Sequence, residues 1–443
     1  MRRALFSAAV VAALGCGALF LLRAHHAKLA PAVPAPAVVT TLRPLPPPPL
    51  AVPALSGIDL AHIALGDDGA TAPAAVHRVA RLTIDPELQK AAAHLMTIHH
   101  VPEAAMVLVD VATGRVLTYA SHLEHGDNRD LCAEATAPSA SVFKIITGAA
   151  LVEDAGLSPD TRQCYSGGEQ KILPSDLEDD ERRDRWCTTL AGAMGHSTNA
   201  VFAKLALRDL KPAVLEAMAQ RFGYGEPVPF DVAVQPSTLH LPSDDLGFAR
   251  TAAGFWNSTL SPLEAAWMSA TVARGGDAPR LSIVSEVVGD KGGVLYSEPE
   301  PSSVRRAIQR DTAQALTKMM EVTVAEGTSY RAFHDAHGTS FLPGITVAGK
   351  TGTLTSATDK RFYTWFTGFA PSRPVQGQGQ GQGDAAKVPQ VAVAVLVVNE
   401  PTWHVKANVL ARELLREYFA RENLPGVTAP SQRSPATSIA RRQ

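Results

Sequence analysis

The chain has almost no net charge: 41 Lys+Arg against 43 Asp+Glu leave a formal −2 at pH 7. Its basic residues do not gather on one helix, so there is no bulk electrostatic case for nucleic acid. Cysteine is scarce, with four residues in 443. No Cys/His spacing resembles a zinc site, so no metal is expected. Nor does any segment point to a cofactor, and none is expected. What is present is ordinary globular material: 46% apolar and 19% charged residues suit a domain with a sizeable core.

The N-terminus departs from that average. Met1-Arg2-Arg3 is followed by an apolar run from Ala4 to Leu22. At 1.5 Å per residue such a run roughly matches a hydrocarbon core of about 30 Å. Arg2 and Arg3 favour a cytoplasmic start, although Arg23, His25, His26 and Lys28 sit on the far side. Two readings stand, a retained single-pass helix and a cleaved signal peptide; the length of the run favours the anchor. Both carry the rest of the chain out of the cytoplasm. Residues 1–23 are thus read as a cytoplasmic tip and transmembrane helix. Residues 24–80, with Pro46-Pro47-Pro48-Pro49, are read as a Pro/Ala-rich linker, extended and semi-rigid.

Beyond the run lie Cys132, Cys164 and Cys187, an odd count for an exported chain. One disulfide with one spare thiol is the simplest solution, and Cys164 with Cys187 is the first choice because the segment between them reads as an exposed loop. Three buried free thiols remain the other reading.

Further elements follow from local pattern. Asp85-Pro86-Glu87 is a helix start, running to about Thr97. Ala104 to Ala120 is a hairpin around Ala112-Thr113-Gly114. From Pro138 to about Val324 the pattern is mainly helical, with strong candidates at Ser141 to Asp154, Leu190 to Leu207, and Ser261-Pro262 to Arg274. Strands return over Gly344 to Thr355, Arg361 to Ala370 and Gln390 to Asn399. The Gln376–Gly383 repeat reads as a loop at a hairpin tip. Lys406 to Glu422 is the last helix, and 425–443 a disordered tail. This order predicts an α+β fold over 81–424: strands from both ends share one sheet, with a helical block inserted between them.

Three short segments carry chemistry in this order: Ser141-Val-Phe-Lys144, Ser197-Thr198-Asn199 and Lys350-Thr351-Gly352-Thr353. Ser141 and Lys144, three apart, share a helix face. A serine hydroxyl needs a neighbouring base, and a lysine serves only if burial or a second cation strips its proton; Lys350 is a candidate for that cation. Ser197 can relay a proton and Asn199 can hold both a substrate amide and Lys144. Lys350, Thr351 and Thr353 can bind a carboxylate, and Gly352 admits a ligand backbone. The backbone N–H groups of Ser141 and Thr353 are candidates for an oxyanion hole. His196 lacks an aspartate partner at recognisable spacing and is read as structural. Taken singly, each segment is weak; together they describe a serine acyl-transfer site.

The three segments resemble those of the penicillin-binding transpeptidases. The resemblance covers about Arg81 to Phe419, with Ser261-Pro262-Leu263, Glu326-Gly327-Thr328 and Phe366-Thr367-Gly368-Phe369-Ala370-Pro371 in support. It implies a five-stranded antiparallel sheet flanked by helices with an inserted all-helical subdomain. It implies attack by Ser141 on the penultimate D-Ala carbonyl of a peptidoglycan stem peptide, then transfer to the amine of a neighbouring stem, with β-lactams stalling on Ser141. The implied partners are stem peptides, β-lactams, the inner membrane through the N-terminal helix, and a glycosyltransferase in wall synthesis. The implied place is the inner membrane, with the catalytic domain periplasmic. The expected departures are no room for a glycosyltransferase domain and a reduced pedestal. A serine β-lactamase is the nearest rival, but Ser-Asp-Asn and a later Glu-x-x-x-Asn are missing, and Asn199 stands where Ser-x-Val enzymes carry valine. A carboxypeptidase shares the motifs, and a catalytically silent scaffold or sensor would lack their reactive positions.

Overall fold

The computed structural model describes residues 52–356, 360–375, 390–400, 402–422, 424 and 426–430. The expected anchor, most of the proline tract, the Gln376–Gly383 repeat and residues 431–443 lie outside these. Among the described residues no helix is long and apolar enough to cross a membrane.

The central sheet has five antiparallel strands in the order Ala348–Thr355, Phe362–Ala370, Val391–Asn399, Glu103–Asp110 and Val116–Leu123. Strands from opposite ends of the chain therefore meet, Ala394 facing Val107 across the seam. The middle strand Val391–Asn399 is buried at every position, because both faces of the sheet are covered. Period-2 alternation divides its residues between two cores. Ala392, Ala394, Leu396 and Val398 face the helical block. Val391, Val393, Val395 and Val397 face the helices Pro86–Ile98 and Ala407–Arg421.

The helix starts follow from capping. Asp85 accepts from the Glu87 and Leu88 amides, satisfying donors that have no partner within the helix. Ser261 accepts from Glu264 N, and Pro262 takes the first turn. The resulting helix, Pro262–Ala273, is buried almost all round and joined to the sheet where the Ser269 and Thr367 hydroxyls meet at 2.7 Å.

Four expectations need correction. The helix expected over Leu190 to Leu207 is two, Leu190–His196 and Asn199–Asp209. Ser197 adopts φ 59° between them, and the Thr198 amide turns back to Ala193 O. Helix propensity on both sides continues through the break, so spacing alone did not reveal it.

The inserted block is not all-helical. It holds the hairpin Arg162–Tyr165/Trp186–Thr189 and the strands Val284–Val288 and Val294–Ser297. These last two join Ala64–Gly66, Gly69–Ala74 and Arg78–Leu82 in a second five-stranded sheet. The interval 24–80, expected as linker, is therefore paired strand from Ala64 onward. Its strands are short, and Arg78–Leu82 finds its outer partner about two hundred positions away, which no local pattern displays.

The chain also stays packed past residue 425, where the tail was expected to begin. Ala429 is buried and Arg416 donates to Thr428 O at 2.7 Å.

Candidate active site

Ser141 sits in a short 3-10 turn, Ala140–Phe143, that runs directly into the α-helix Lys144–Glu153. The expected single α-helix thus begins with a tighter turn. In that geometry residues three apart eclipse one another, which stacks Ser141 above Lys144. Two close approaches hold the turn. The Trp365 indole donates to Pro138 O at 2.9 Å, fixing the segment before the nucleophile to the sheet. Gly254 lies so near that a Cβ there would stand 2.4 Å from Ala140 O.

Lys144 is fully buried. Its Nζ donates to Ser141 Oγ at 2.8 Å, Asn199 Oδ1 at 2.7 Å and Ala253 O at 2.6 Å. Burial, and after it the charge of Lys350, hold its pKa well below the ordinary lysine value. An amine that has lost its proton keeps the same neighbours and turns a lone pair toward the Ser141 hydroxyl.

Asn199 opens the helix Asn199–Asp209 and is held from its other side, Nδ2 donating to Glu169 O at 2.7 Å. With its amide hydrogen engaged there, Oδ1 faces Lys144. The left-handed turn at Ser197 swings its Oγ to within 3.0 Å of Lys350 Nζ. Lys350 is also fully buried and donates to Thr351 O at 2.8 Å; burial lowers its pKa to about 7.

Lys350 lies on the strand Ala348–Thr355, the edge of the central sheet beside the nucleophile turn. A Cβ on Gly352 would lie 3.2 Å from Ala140 Cβ, so the strand passes close to Ser141. The Thr351 hydroxyl meets that of Thr328 at 2.6 Å. Ser141, Ser197, Asn199, Thr351, Gly352 and Thr353 line one cavity of about 330 Å³. Lys144 and Lys350 are buried behind this lining, Lys144 bonded to Ser141 and Asn199 and Lys350 to Ser197. All eight residues singled out in the sequence are thereby brought together. His196 is exposed at the end of its helix.

Four contributors were not foreseen. Glu169 and Ala253 act through backbone carbonyls, which leave no side-chain signal. Trp365 lies on the neighbouring strand. Thr328 lies in the flagged Glu326-Gly327-Thr328 stretch, but nothing in the sequence paired its hydroxyl with Thr351. The disulfide is the first-choice pair, Cys164–Cys187, and Cys132 is buried and free. Among the described residues no cluster of His, Cys, Asp and Glu could hold a metal.

Comparison with known proteins agrees with this geometry. Residues 104–376 match the penicillin binding protein transpeptidase domain. The peptidoglycan D,D-transpeptidase PbpA of Mycolicibacterium smegmatis is 28% identical over 355 residues, 71% of this chain and 66% of that protein. PbpA of Mycobacterium tuberculosis is 28% identical over 353 residues, 72% of this chain and again 66% of its own length. The chain thus spans just under two thirds of these relatives. Among solved structures, the D,D-transpeptidase domain of a peptidoglycan glycosyltransferase from Eggerthella lenta superposes with TM-score 0.62 at 23% identity, covering 77% of this chain and 83% of that one. The M. tuberculosis PbpA crystal structure superposes with TM-score 0.59 at 24% identity, covering 76% and 80%. At those identities the structural likeness speaks to fold, and it is the same α+β fold with an antiparallel sheet.

Proposed function

Because this chain belongs to the penicillin-binding protein transpeptidase domain family, we propose that it is a peptidoglycan D,D-transpeptidase working through a Ser141 acyl-enzyme. The observation that carries the reading is Lys144 Nζ, fully buried and 2.8 Å from Ser141 Oγ. A desolvated amine at that distance is what a serine needs to become a nucleophile.

The roles follow from position. Lys144 takes the Ser141 proton as Oγ attacks the penultimate D-Ala carbonyl. The N–H groups of Ser141 and Thr353 receive the developing oxyanion. Asn199 orients Lys144 and the substrate amide, and Ser197 passes a proton to the departing terminal D-Ala. Lys350, with the Thr351 and Thr353 hydroxyls, holds the substrate carboxylate, while Gly352 lets the peptide lie against the edge strand. A neighbouring stem amine then takes the acyl group. A β-lactam acylates Ser141 by the same attack. The PbpA of M. tuberculosis has been crystallised as acyl-enzyme complexes with ceftriaxone, imipenem and penicillin G.

The same proposal places the chain at the inner membrane, anchored by a single-pass helix over Ala4–Leu22, with its catalytic domain periplasmic. The apolar run supports this, as does a disulfide suited to an oxidising compartment. A glycosyltransferase partner belongs to the proposal because crosslinking acts on stems carried by glycan strands.

A fluorescent penicillin is expected to label the protein covalently, and Ser141→Ala to lose that label. Incubation with a D-Ala-D-Ala donor and an acceptor amine is expected to yield crosslinked product by mass spectrometry. Hydrolysis alone would make the protein a carboxypeptidase, and undiminished labelling of Ser141→Ala would remove Ser141 from the reaction.

A further inference from the structure

The cavity holding Ser141 adjoins a second one of about 580 Å³. The two share Thr328, Lys406 and Asn408. The second cavity is further lined by Glu326, Arg331 and His404. We propose that this second cavity is the acceptor subsite, taking a stem peptide with a carboxylate near its attacking amine, and that Lys406 binds that carboxylate. The inference rests on the transpeptidase reading above.

Direction comes first. The shared wall includes Thr328, whose hydroxyl is 2.6 Å from that of Thr351, at the end of the site assigned to the donor's terminal carboxylate. That is the leaving-group end. Donor cleavage and acceptor attack are the same acyl transfer run in opposite senses. The incoming amine must therefore occupy the place the leaving amine vacated, and arrive from that end. In the second step the amine nitrogen bonds to the acyl carbon and the ester bond to Ser141 Oγ breaks. One N–H proton passes through the Lys144 and Ser197 groups to Ser141 Oγ, restoring the hydroxyl.

Charge and polarity come next. Lys406 is exposed at the N-cap of Ala407–Arg421, with its Nζ 5.8 Å from the Trp403 ring centroid. Neither Lys406 nor Arg331 has a carboxylate partner among the described residues. Against them stands the single acid Glu326, so the lining favours a carboxylate-bearing ligand. Asn408, 6% exposed, sits at the junction. Its Nδ2 donates to Ser329 Oγ at 3.2 Å, while its Oδ1 has no partner among the described residues. A buried amide oxygen without a donor is costly, and an incoming N–H at this junction would satisfy it.

The test uses the full chain and three readouts: acylation by benzylpenicillin, hydrolysis of a D-Ala-D-Ala donor, and crosslinking to an acceptor amine offered with its carboxylate free or amidated. Lys406→Ala is expected to lower the ratio of crosslinked to hydrolysed product roughly five- to tenfold for the free-carboxylate acceptor, and to leave the ratio for the amidated acceptor unchanged. Lys406→Arg is expected to keep most of the ratio. An unchanged ratio in Lys406→Ala, or an equal loss with both acceptors, would overturn the assignment. If the wild type acylates but never crosslinks, the transpeptidase reading falls and takes the subsite with it. That result is visible before any variant is made.

Discussion

Burial at Lys144 and Lys350 makes two ordinary cations into reactive groups. Desolvation lowers both, and the charge of Lys350 lowers Lys144 further. Lys350 has a free-enzyme pKa of about 7. Above that its charge, proposed to bind the carboxylate, fades. The kcat/KM for acylation by a carboxylate-bearing β-lactam is therefore expected to decline as pH rises through about 7, and to decline on the acid side as Lys144 regains its proton. In Lys350→Arg the alkaline decline should vanish, since a guanidinium stays charged. A stopped-flow pH profile checks this, and an alkaline limb that persists in the variant would refute it. The grouping of these residues was readable in the sequence because type and spacing carry it. The acceptors at Ala253 and Glu169 were not, because any residue supplies a backbone carbonyl.

Among the elements, the hairpin Arg162–Tyr165/Trp186–Thr189 bears most on the site. It is tied by Cys164–Cys187, 23 residues apart, and the loop between its strands brings Glu169 O to Asn199. Gly168, at φ +75°, allows that approach; a Cβ there would stand 2.7 Å from Ala200 Cβ. Closing a loop of that length is worth about 3 kcal/mol. Replacing both cysteines with serine is expected to lower the melting temperature by several degrees, and to slow acylation because Asn199 loses its brace. Calorimetry and labelling kinetics would show it, and unchanged acylation would mean that Glu169 does not hold Asn199 in place. Element type was legible wherever a cap or a long alternation marked it, as at Asp85, Ser261 and Val391–Asn399. It failed at Ser197, where the backbone departs from helix to place a hydroxyl beside Lys350 rather than to satisfy local preference.

In the whole molecule, the second sheet joins residues far apart in sequence. Arg78–Leu82 pairs with Val284–Val288, and Arg81 bridges Glu286 at 2.7 Å. Removing residues 1–82 would leave Val284–Val288 with an open edge. Such a truncation is expected to melt at a lower temperature and to aggregate more than one that starts at residue 52, as light scattering and thermal unfolding would record. Equal stability would return residues 64–82 to the role of linker.

By itself the sequence displayed the three motif segments, the order of the main-sheet strands along the chain and the cysteine pair of first choice. Each of these is written in residue identity, spacing or an alternation short enough to lie in one segment. Only the tertiary structure decided the depth at which the two lysines are buried, the turn at Ser197, the carbonyls behind Asn199 and Lys144, and the second sheet. Those depend on which distant segments exclude water or supply a hydrogen-bond partner, and that is a property of three-dimensional packing.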